Sequence, residues 1–240
     1  MRTATDWLAE LVSFDTTSRN SNLALIDRVE AYLAGLGAVC HRIASPDGKK
    51  ANLHAVLGPD VDGGVVLSGH TDVVPVDGQD WSSDPFTLTE RDGKLYARGS
   101  CDMKGFIACA LAQAPSFAKA GLKRPVHFAF SYDEEIGCLG APDMIAQMAG
   151  HTPRPSCVIV GEPTEMAVVT GHKGLFSVRV EVFGKEAHSS LVEDGACAAT
   201  NAVRLMNWIV EEADALKAKT PADSPFNPPY GTMTIGQMGG

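Results

Sequence analysis

The sequence of 240 residues lacks the features that would place it in several large classes of protein. Its six cysteines form no CxxC pair, and in a chain of this length without a secretory signal we expect free thiols rather than disulfides. Asp6 and Glu10 interrupt the apolar N-terminal stretch, which is not the pattern of a signal peptide. No apolar run approaches the roughly 20 residues that cross a bilayer. These absences predict a cytoplasmic protein without a membrane partner.

Positive charge is also scarce. The chain carries 20 Lys and Arg against 29 Asp and Glu, for a net charge of −9. A nucleic acid or an anionic lipid surface would require a basic patch, so we expect neither as a partner. The GxSxG nucleophile motif is absent, which argues against a serine hydrolase. Hydrophobic residues make up 45% and charged residues 20%, an ordinary mixture for a globular protein with a sizeable core.

Strand-like apolar runs alternate with helical patterns along the first part of the chain. Strands are predicted near residues 38–44, 52–57, 65–68, 126–132 and 157–160, and helices near 7–12, 22–36, 104–114 and 141–148. Pro115 is expected to interrupt the third helix, which should end near Gly121. This alternation predicts an α/β/α sandwich with a mostly parallel sheet and some antiparallel pairing.

The pattern changes after Gly174. Residues 175–182 alternate apolar and polar side chains, residues 196–215 form a long helical pattern, and a proline-rich loop precedes a short strand at 232–235. We therefore predict two domains, residues 1–174 and a smaller α+β unit at 175–240. Because a Gly-Gly pair is typical of a turn, we expect the sequence to be truncated on its C-terminal side, a disordered natural terminus being the alternative.

Polar residues of one chemical type follow the apolar strands. They are His70 and Asp72 after 65–68, Asp102 after an expected strand at 95–98, Glu134 and Glu135 after 126–132, and Glu162 after 157–160. Ligands bind at the strand ends of open α/β sheets. Several carboxylates meeting there would repel one another unless cations neutralised them. Imidazole and carboxylate ligands suit zinc, so the pattern predicts a divalent metal pair.

Each of these residues has a plainer interpretation when taken alone. His70 could be a satisfied polar residue, Asp102 a turn or cap residue, and Glu162 the start of a Glu-Pro-Thr turn. The pair Glu134-Glu135 could be a solvated strand end. Their ordered occurrence in one βα chain is what favours a metal site, and Asp72 could orient His70 through its second ring nitrogen.

Four blocks carry a family resemblance: SGHTDVVPVDGQDWSSDPF, LYARGSCDMKGF, SYDEEIGCLGAP and VGEPTE. They resemble the signature blocks of the two-zinc aminoacylase and carboxypeptidase family. The similarity extends through GKEAHSS and NPPYGT and is greater to the branch that deacetylates N-acetyl-L-ornithine than to the branch that acts on succinyl-diaminopimelate. It implies a catalytic domain interrupted by a smaller lid domain, through which the protein would form a homodimer.

The resemblance implies a role for each site residue. His70 and Glu162 would bind one zinc ion, Glu135 the other, and Asp102 would bridge them, with Co²⁺ as a possible substitute. Asp72 would orient His70, Glu134 would be the general base, and His188 of GKEAHSS would stabilise the oxyanion in a partner's site. Without the resemblance, His188 would be a surface histidine. A non-proline cis peptide is also implied at Asp102–Met103.

The implied reaction is hydrolysis of N-acetyl-L-ornithine to ornithine and acetate, a step of arginine biosynthesis. The alternatives are another N-acyl amino acid, a dipeptide or succinyl-diaminopimelate as substrate, or an inactive fragment that only binds metal or a partner. The sequence departs from the family in lacking a last histidine ligand and a substrate-binding arginine. His127, His151 and His172 do not occupy that motif.

Overall fold

The computed structural model describes residues 2–239, which divide into two compact units. The first unit is Met1–Met166 and the second is Ala167–Gly240. The division falls a few residues before the boundary expected at 174. No helix in the described part of the chain is long and apolar enough to cross a membrane.

The first unit contains seven strands and four helices within the described residues. In chain order they are α1 (Ala4–Val12), α2 (Leu23–Gly35), β1 (Val39–Ala44), β2 (Ala51–Leu57), β3 (Val65–His70), β4 (Thr89–Arg91), β5 (Lys94–Tyr96), α3 (Lys104–Lys119), β6 (Val126–Ser131), α4 (Ala141–His151) and β7 (Cys157–Val160). Each of the strands and helices predicted for this region is present, with bounds shifted by a few residues.

The main sheet has the strand order β1-β2-β6-β3-β7. Strand β3 pairs in parallel with β6 and β7, whereas β2 pairs antiparallel with β1 and β6. Four of the five strands therefore run in one direction and β2 runs against them. The prediction of an α/β fold with a mostly parallel sheet and some antiparallel pairing is confirmed.

The core lies between this sheet and helices α1, α2 and α3. Trp7, Leu11, Ile26, Phe128 and Phe130 are all fully buried in one continuous cluster. Apolar residues on both faces of the central strands explain why β2 and β6 are almost entirely buried. This packed core fixes the position of the polar residues that follow β3 and β6.

Helix α3 ends close to Gly121, as predicted, but it is not interrupted at Pro115. A proline removes the N–H that would bond to the carbonyl four residues earlier, here Leu111. The hydroxyl of Tyr32 donates to that carbonyl over 3.3 Å. The freed acceptor is thus satisfied, and the helix extends to Lys119.

The second unit contains a short 3-10 helix, Val192–Asp194, and helix α5, Ala198–Ala218. The strands predicted at 175–182 and 232–235 are not formed, and these predictions were wrong. A strand requires a hydrogen-bonded neighbour. Within 167–239 the only described β pairing is the isolated bridge between Lys185 and Ala196. The alternating side chains, such as Leu175 and Phe176, are exposed.

Candidate metal centre

His70 ends strand β3 and its side chain is only 1% exposed. Its Nδ1 lies 2.9 Å from the main-chain carbonyl oxygen of Asp72. Because a carbonyl oxygen can only accept, Nδ1 must carry the proton in this contact. In the neutral ring, Nε2 then holds the free lone pair that a metal ion requires.

Three carboxylates surround Nε2 of His70. Asp102 Oδ1 lies 3.0 Å away, Glu162 Oε1 3.7 Å and Glu134 Oε2 3.8 Å. One ligand atom each from His70, Asp102 and Glu162 falls within 4.8 Å of the others. Three of the four residues predicted to bind metal therefore meet at one point, at the ends of β3 and β7 and before α3.

Asp102 reaches this point by a different route from the predicted one. Strand β5 belongs to a separate two-stranded sheet with β4, so Asp102 does not follow a strand of the main sheet. A turn through Gly99 brings it back, with φ of 77° and no room for a β-carbon, which would lie 2.5 Å from Val73 Cγ1. The Asp102–Met103 peptide is cis, as the resemblance implied.

Asp72 connects the ends of β3 and β6. Its carboxylate accepts hydrogen bonds from the Ser18 hydroxyl over 2.8 Å and from the backbone N–H groups of Glu134 and Glu135 over 3.1 and 3.2 Å. Its Oδ1 also lies 3.5 Å from Nδ1 of His70. Burial alone would raise the pKa of Asp72, but these donors outweigh it and the pKa is lowered. Asp72 orients His70 chiefly through its carbonyl oxygen, while its carboxylate holds the glutamate pair.

The pKa values of His70, Glu135 and Glu162 are all raised. Burial would lower the pKa of His70, but Asp72 and Asp102 raise it to about 9. Burial and repulsion from Asp102 and Glu134 raise the pKa of Glu162 to about 7, although His70 opposes this. Burial and the Asp102 charge likewise raise the pKa of Glu135. The carboxylates are crowded enough to favour a cation.

The two adjacent glutamates occupy different surroundings. Glu134 lies beside His70 Nε2, and its Oε1 accepts a hydrogen bond from the thiol of Cys138 over 3.5 Å. Glu135 is not a member of the three-ligand group. It lines a cleft of about 180 Å³ together with Asp102 and the turn at residues 97–101. The two side chains therefore have different neighbours. The expected extended backbone is not formed here, because the pair opens a turn in which the Glu134 carbonyl accepts from the N–H groups of Gly137 and Cys138.

His188 lies in the second unit and is exposed. The backbone N–H of Ser190 donates to its Nδ1 over 3.3 Å, and the Ser190 hydroxyl lies 2.8 Å from the same nitrogen. Because Nδ1 accepts, the proton of the neutral ring is on Nε2. His188 thus presents an N–H donor to its surroundings.

Three supporting residues were not found by sequence reasoning. Ser18 donates to Asp72, the ammonium of Lys50 contacts both the Ser18 carbonyl and Asp133, and fully buried Lys104 donates to the Phe14 carbonyl over 2.8 Å. Their partners are 32 to 90 residues away in the chain. No local motif reports contacts of that separation.

The donor set fits a zinc ion. One imidazole nitrogen and two carboxylate oxygens leave a further coordination position open, which is the arrangement of catalytic rather than structural zinc sites. The Nδ1 proton of His70 is fixed by the Asp72 carbonyl, as expected for a ligating histidine. For a second ion, the residues that line a common cleft are Asp102 and Glu135.

Similarity to characterised proteins agrees with this chemistry. The chain is 40% identical over 238 residues to acetylornithine deacetylase of Myxococcus xanthus, covering 97% of this chain and 60% of that protein. It is 36% identical over 233 residues to acetylornithine deacetylase of Pasteurella multocida, covering 95% and 59% respectively. The chain thus spans about three fifths of the length of these curated relatives.

Solved structures show the same fold. Human carnosine dipeptidase 1 matches with a TM-score of 0.54 and 26% identity over 62% of this chain and 35% of its own. The M20 family metallo-carboxypeptidase Sso-CP2 of Sulfolobus solfataricus matches with a TM-score of 0.57 and 22% identity, covering 67% and 37%. The sequence pattern of peptidase family M20/M25/M40 matches residues 66–236. The metal-ligand cluster lies within this matched region, which covers most of the chain. The chain therefore belongs to peptidase family M20/M25/M40.

Proposed function

We propose that the protein hydrolyses the acetyl amide of N-acetyl-L-ornithine to ornithine and acetate, in arginine biosynthesis. The observation that carries this proposal is the meeting of His70 Nε2 with Asp102 and Glu162, with Glu134 alongside. The 40% identity to a deacetylase of this specificity supports the choice of substrate. This chain spans about three fifths of the length of that relative. The activity is therefore proposed for a protein of the relative's full length.

We assign the ligands as the family resemblance implies. His70 and Glu162 would hold one zinc ion, Glu135 the other, and Asp102 both; Co²⁺ would be able to substitute. When bound, the metal supplies Lewis acidity that makes water a better nucleophile near neutral pH and polarises the amide carbonyl. The raised pKa values of Glu135 and Glu162, caused by burial and by the neighbouring carboxylates, support this assignment, because a bound cation would offset both effects.

Glu134 is the proposed general base. Its carboxylate faces the same space as His70 Nε2 and is held on one side by the Cys138 thiol. It would accept a proton from water and return it to the leaving amine of ornithine. His188, whose Nε2 carries a proton, would donate a hydrogen bond to the oxyanion formed at the acetyl carbon. In this proposal, His188 of one copy acts at the metal centre of its partner.

The proposed assembly is a homodimer through the second unit. Helix α5 exposes the apolar side chains of Val203, Trp208 and Val210, which a partner copy would cover. Static light scattering measures the mass directly. A monomer at all concentrations would contradict the dimer and leave the proposed chemistry to be tested separately.

The decisive experiment separates the two glutamates. Glu134→Ala should retain zinc and lose at least about 10²-fold in kcat, since it removes an acid–base group. Glu135→Ala should lower the zinc content, mainly by one equivalent. Zinc is measured by elemental analysis beside kcat on N-acetyl-L-ornithine.

Substrate range is tested on the same wild-type preparation. If the protein turns over succinyl-diaminopimelate, another N-acyl amino acid or a dipeptide faster than N-acetyl-L-ornithine, that compound replaces N-acetyl-L-ornithine as the proposed substrate.

The two glutamate variants also have outcomes that would contradict the proposal. Loss of zinc from Glu134→Ala with retention in Glu135→Ala would reverse the two roles. Unchanged activity in both variants would refute the two-zinc mechanism.

A further inference from the structure

The residue before the glutamate pair has an unusual backbone. Asp133 lies two residues beyond the end of β6, and its φ of 57° is in the left-handed region that non-glycine residues seldom adopt. Aspartate is among the residues that tolerate this region best. The residue is 7% exposed. This conformation redirects the chain between β6 and the segment that carries Glu134 and Glu135.

The side chain of Asp133 is held by Lys50. The Lys50 ammonium contacts Asp133 Oδ1, and the two side chains are 16% and 10% exposed. The same ammonium donates to the main-chain carbonyl of Ser18. The backbone of Lys50 is fixed independently, because it exchanges hydrogen bonds with Ser45 in the turn before β2. Lys50 is therefore a shielded cation with two partners from distant parts of the chain.

These contacts form a closed loop around the site. Lys50 binds Ser18 and Asp133, Ser18 binds Asp72, and Asp72 accepts the N–H groups of the two residues that follow Asp133. A displacement of Asp133 would move those N–H groups away from the Asp72 carboxylate. The ion pair thus acts on the glutamates through the backbone, without touching their carboxylates.

We propose that Lys50 and Asp133 are positioning residues that set the backbone of the Glu134-Glu135 pair. Part of this inference rests on the proposed function, because it assigns the base and a metal ligand to that pair. The other part is purely structural and concerns the two N–H groups. When one partner of such a largely buried ion pair is removed, the charge that remains is poorly solvated.

The test replaces Lys50 by Met, which keeps length and removes the ammonium, and by Arg, which restores a cation. Hydrogen exchange of the Glu134 and Glu135 amides is measured together with Tm, kcat and KM for N-acetyl-L-ornithine. Lys50→Met should accelerate exchange at both amides by at least about tenfold, since local opening becomes easier. We expect kcat to fall by about tenfold with KM little changed, because misplacement of a catalytic group affects turnover. Lys50→Arg should recover most of both effects.

The matched control is Arg28→Met, which removes another partly buried ion pair, that of Arg28 with Glu10, whose atoms are 2.6 Å apart. It should lower Tm without accelerating exchange at Glu134 and Glu135. Equal exchange in Lys50→Met, Arg28→Met and the unchanged protein would overturn the positioning role whatever the activity. Conversely, if the unchanged protein hydrolyses no N-acyl amino acid but Lys50→Met still accelerates exchange, the proposed function fails and the positioning role stands.

Discussion

Histidines of the main sheet occupy two opposite electrostatic environments. His70, at the end of β3, is surrounded by Asp72, Asp102 and Glu162, which raise its pKa to about 9 against the effect of burial. His54, on β2, has another histidine as its nearest polar partner: its Nε2 lies 3.1 Å from Nδ1 of His127. Burial and the nearby histidines lower its pKa to about 4.

The second environment is a row of stacked rings. His54 stacks on His127 with centroids 5.3 Å apart and on His41 at 5.8 Å, and His41 stacks on His151 at 6.2 Å. In the described chain, His127 Nε2 is buried without a hydrogen-bond partner. A ring that must stay neutral serves packing, whereas a ring among carboxylates is suited to hold a positive charge or a metal. The same residue type thus acquires different chemistry from its neighbours.

The largest effect we expect is acid destabilisation through His54. Its pKa is depressed in the folded protein, so the unfolded chain takes up the proton first. The stabilising contribution is complete above pH 6.5 and is lost as the pH falls through about 4. The difference corresponds to about 3 kcal/mol in the free energy of unfolding.

His54→Gln should keep a polar partner for His127 and remove this pH dependence. Urea unfolding between pH 7 and pH 4 measures the slope in both proteins. His172→Gln, at an exposed position of the second unit, is the control and should leave the slope unchanged. An identical slope in His54→Gln and the unchanged protein would contradict a depressed pKa at His54.

The second prediction concerns His70 and the carboxylates around it. Asp72→Asn keeps the shape of the side chain and the backbone carbonyl that holds His70. It removes the negative charge beside Nδ1 of His70 and the charged acceptor of the Glu134 and Glu135 N–H groups. We expect zinc affinity to fall about 10–100-fold, which is typical when a residue supporting a metal ligand is replaced. Competition with a chromophoric chelator measures the affinity. Asp47→Asn, an exposed aspartate with its own local hydrogen bonds, is the control and should bind zinc normally.

The smallest effect should come from the outer part of the histidine row. His41 is partly exposed, and its influence on His54 is weaker than that of burial or of His127. His41→Gln should therefore change the loss of unfolding free energy between pH 7 and pH 4 by no more than about 0.5 kcal/mol, because solvent screens charges near the surface. An effect as large as that of His54→Gln would show that the row titrates as one unit.

The sequence predicted the sheet well where the strands are continuous apolar runs. β3, β6 and β7 were each found within a few residues, because each is a continuous run of apolar side chains. The expectation that 157–160 is buried was wrong, since all four residues of β7 are exposed. Strands that depend on pairing were not predicted correctly. Residues 175–182 have the alternation of a strand but form none. β5 overlaps the strand expected at 95–98, whereas its three-residue partner β4 was not predicted.

The site was predicted in part for a related reason. His70, Asp102 and Glu162 could be named because each follows a recognisable local block, and the structure brings them together. The route of Asp102 through a turn rather than a sheet strand was not foreseen. Neither were Ser18 and Lys50, since a hydroxyl or an ammonium within a polar loop looks like an ordinary exposed residue until its distant partner is known.

The hydrogen bonds of Asp72 also constrain how this sequence can vary. The Asp72 carboxylate contacts Ser18, His70 and the backbone N–H groups of the two glutamates. A substitution at one of these positions therefore changes the effect of substitutions at the others. Substitutions at such shared partners combine non-additively. A variant tolerated at position 18 in one homologue would then be harmful in another, and these positions should change together or remain fixed as a set.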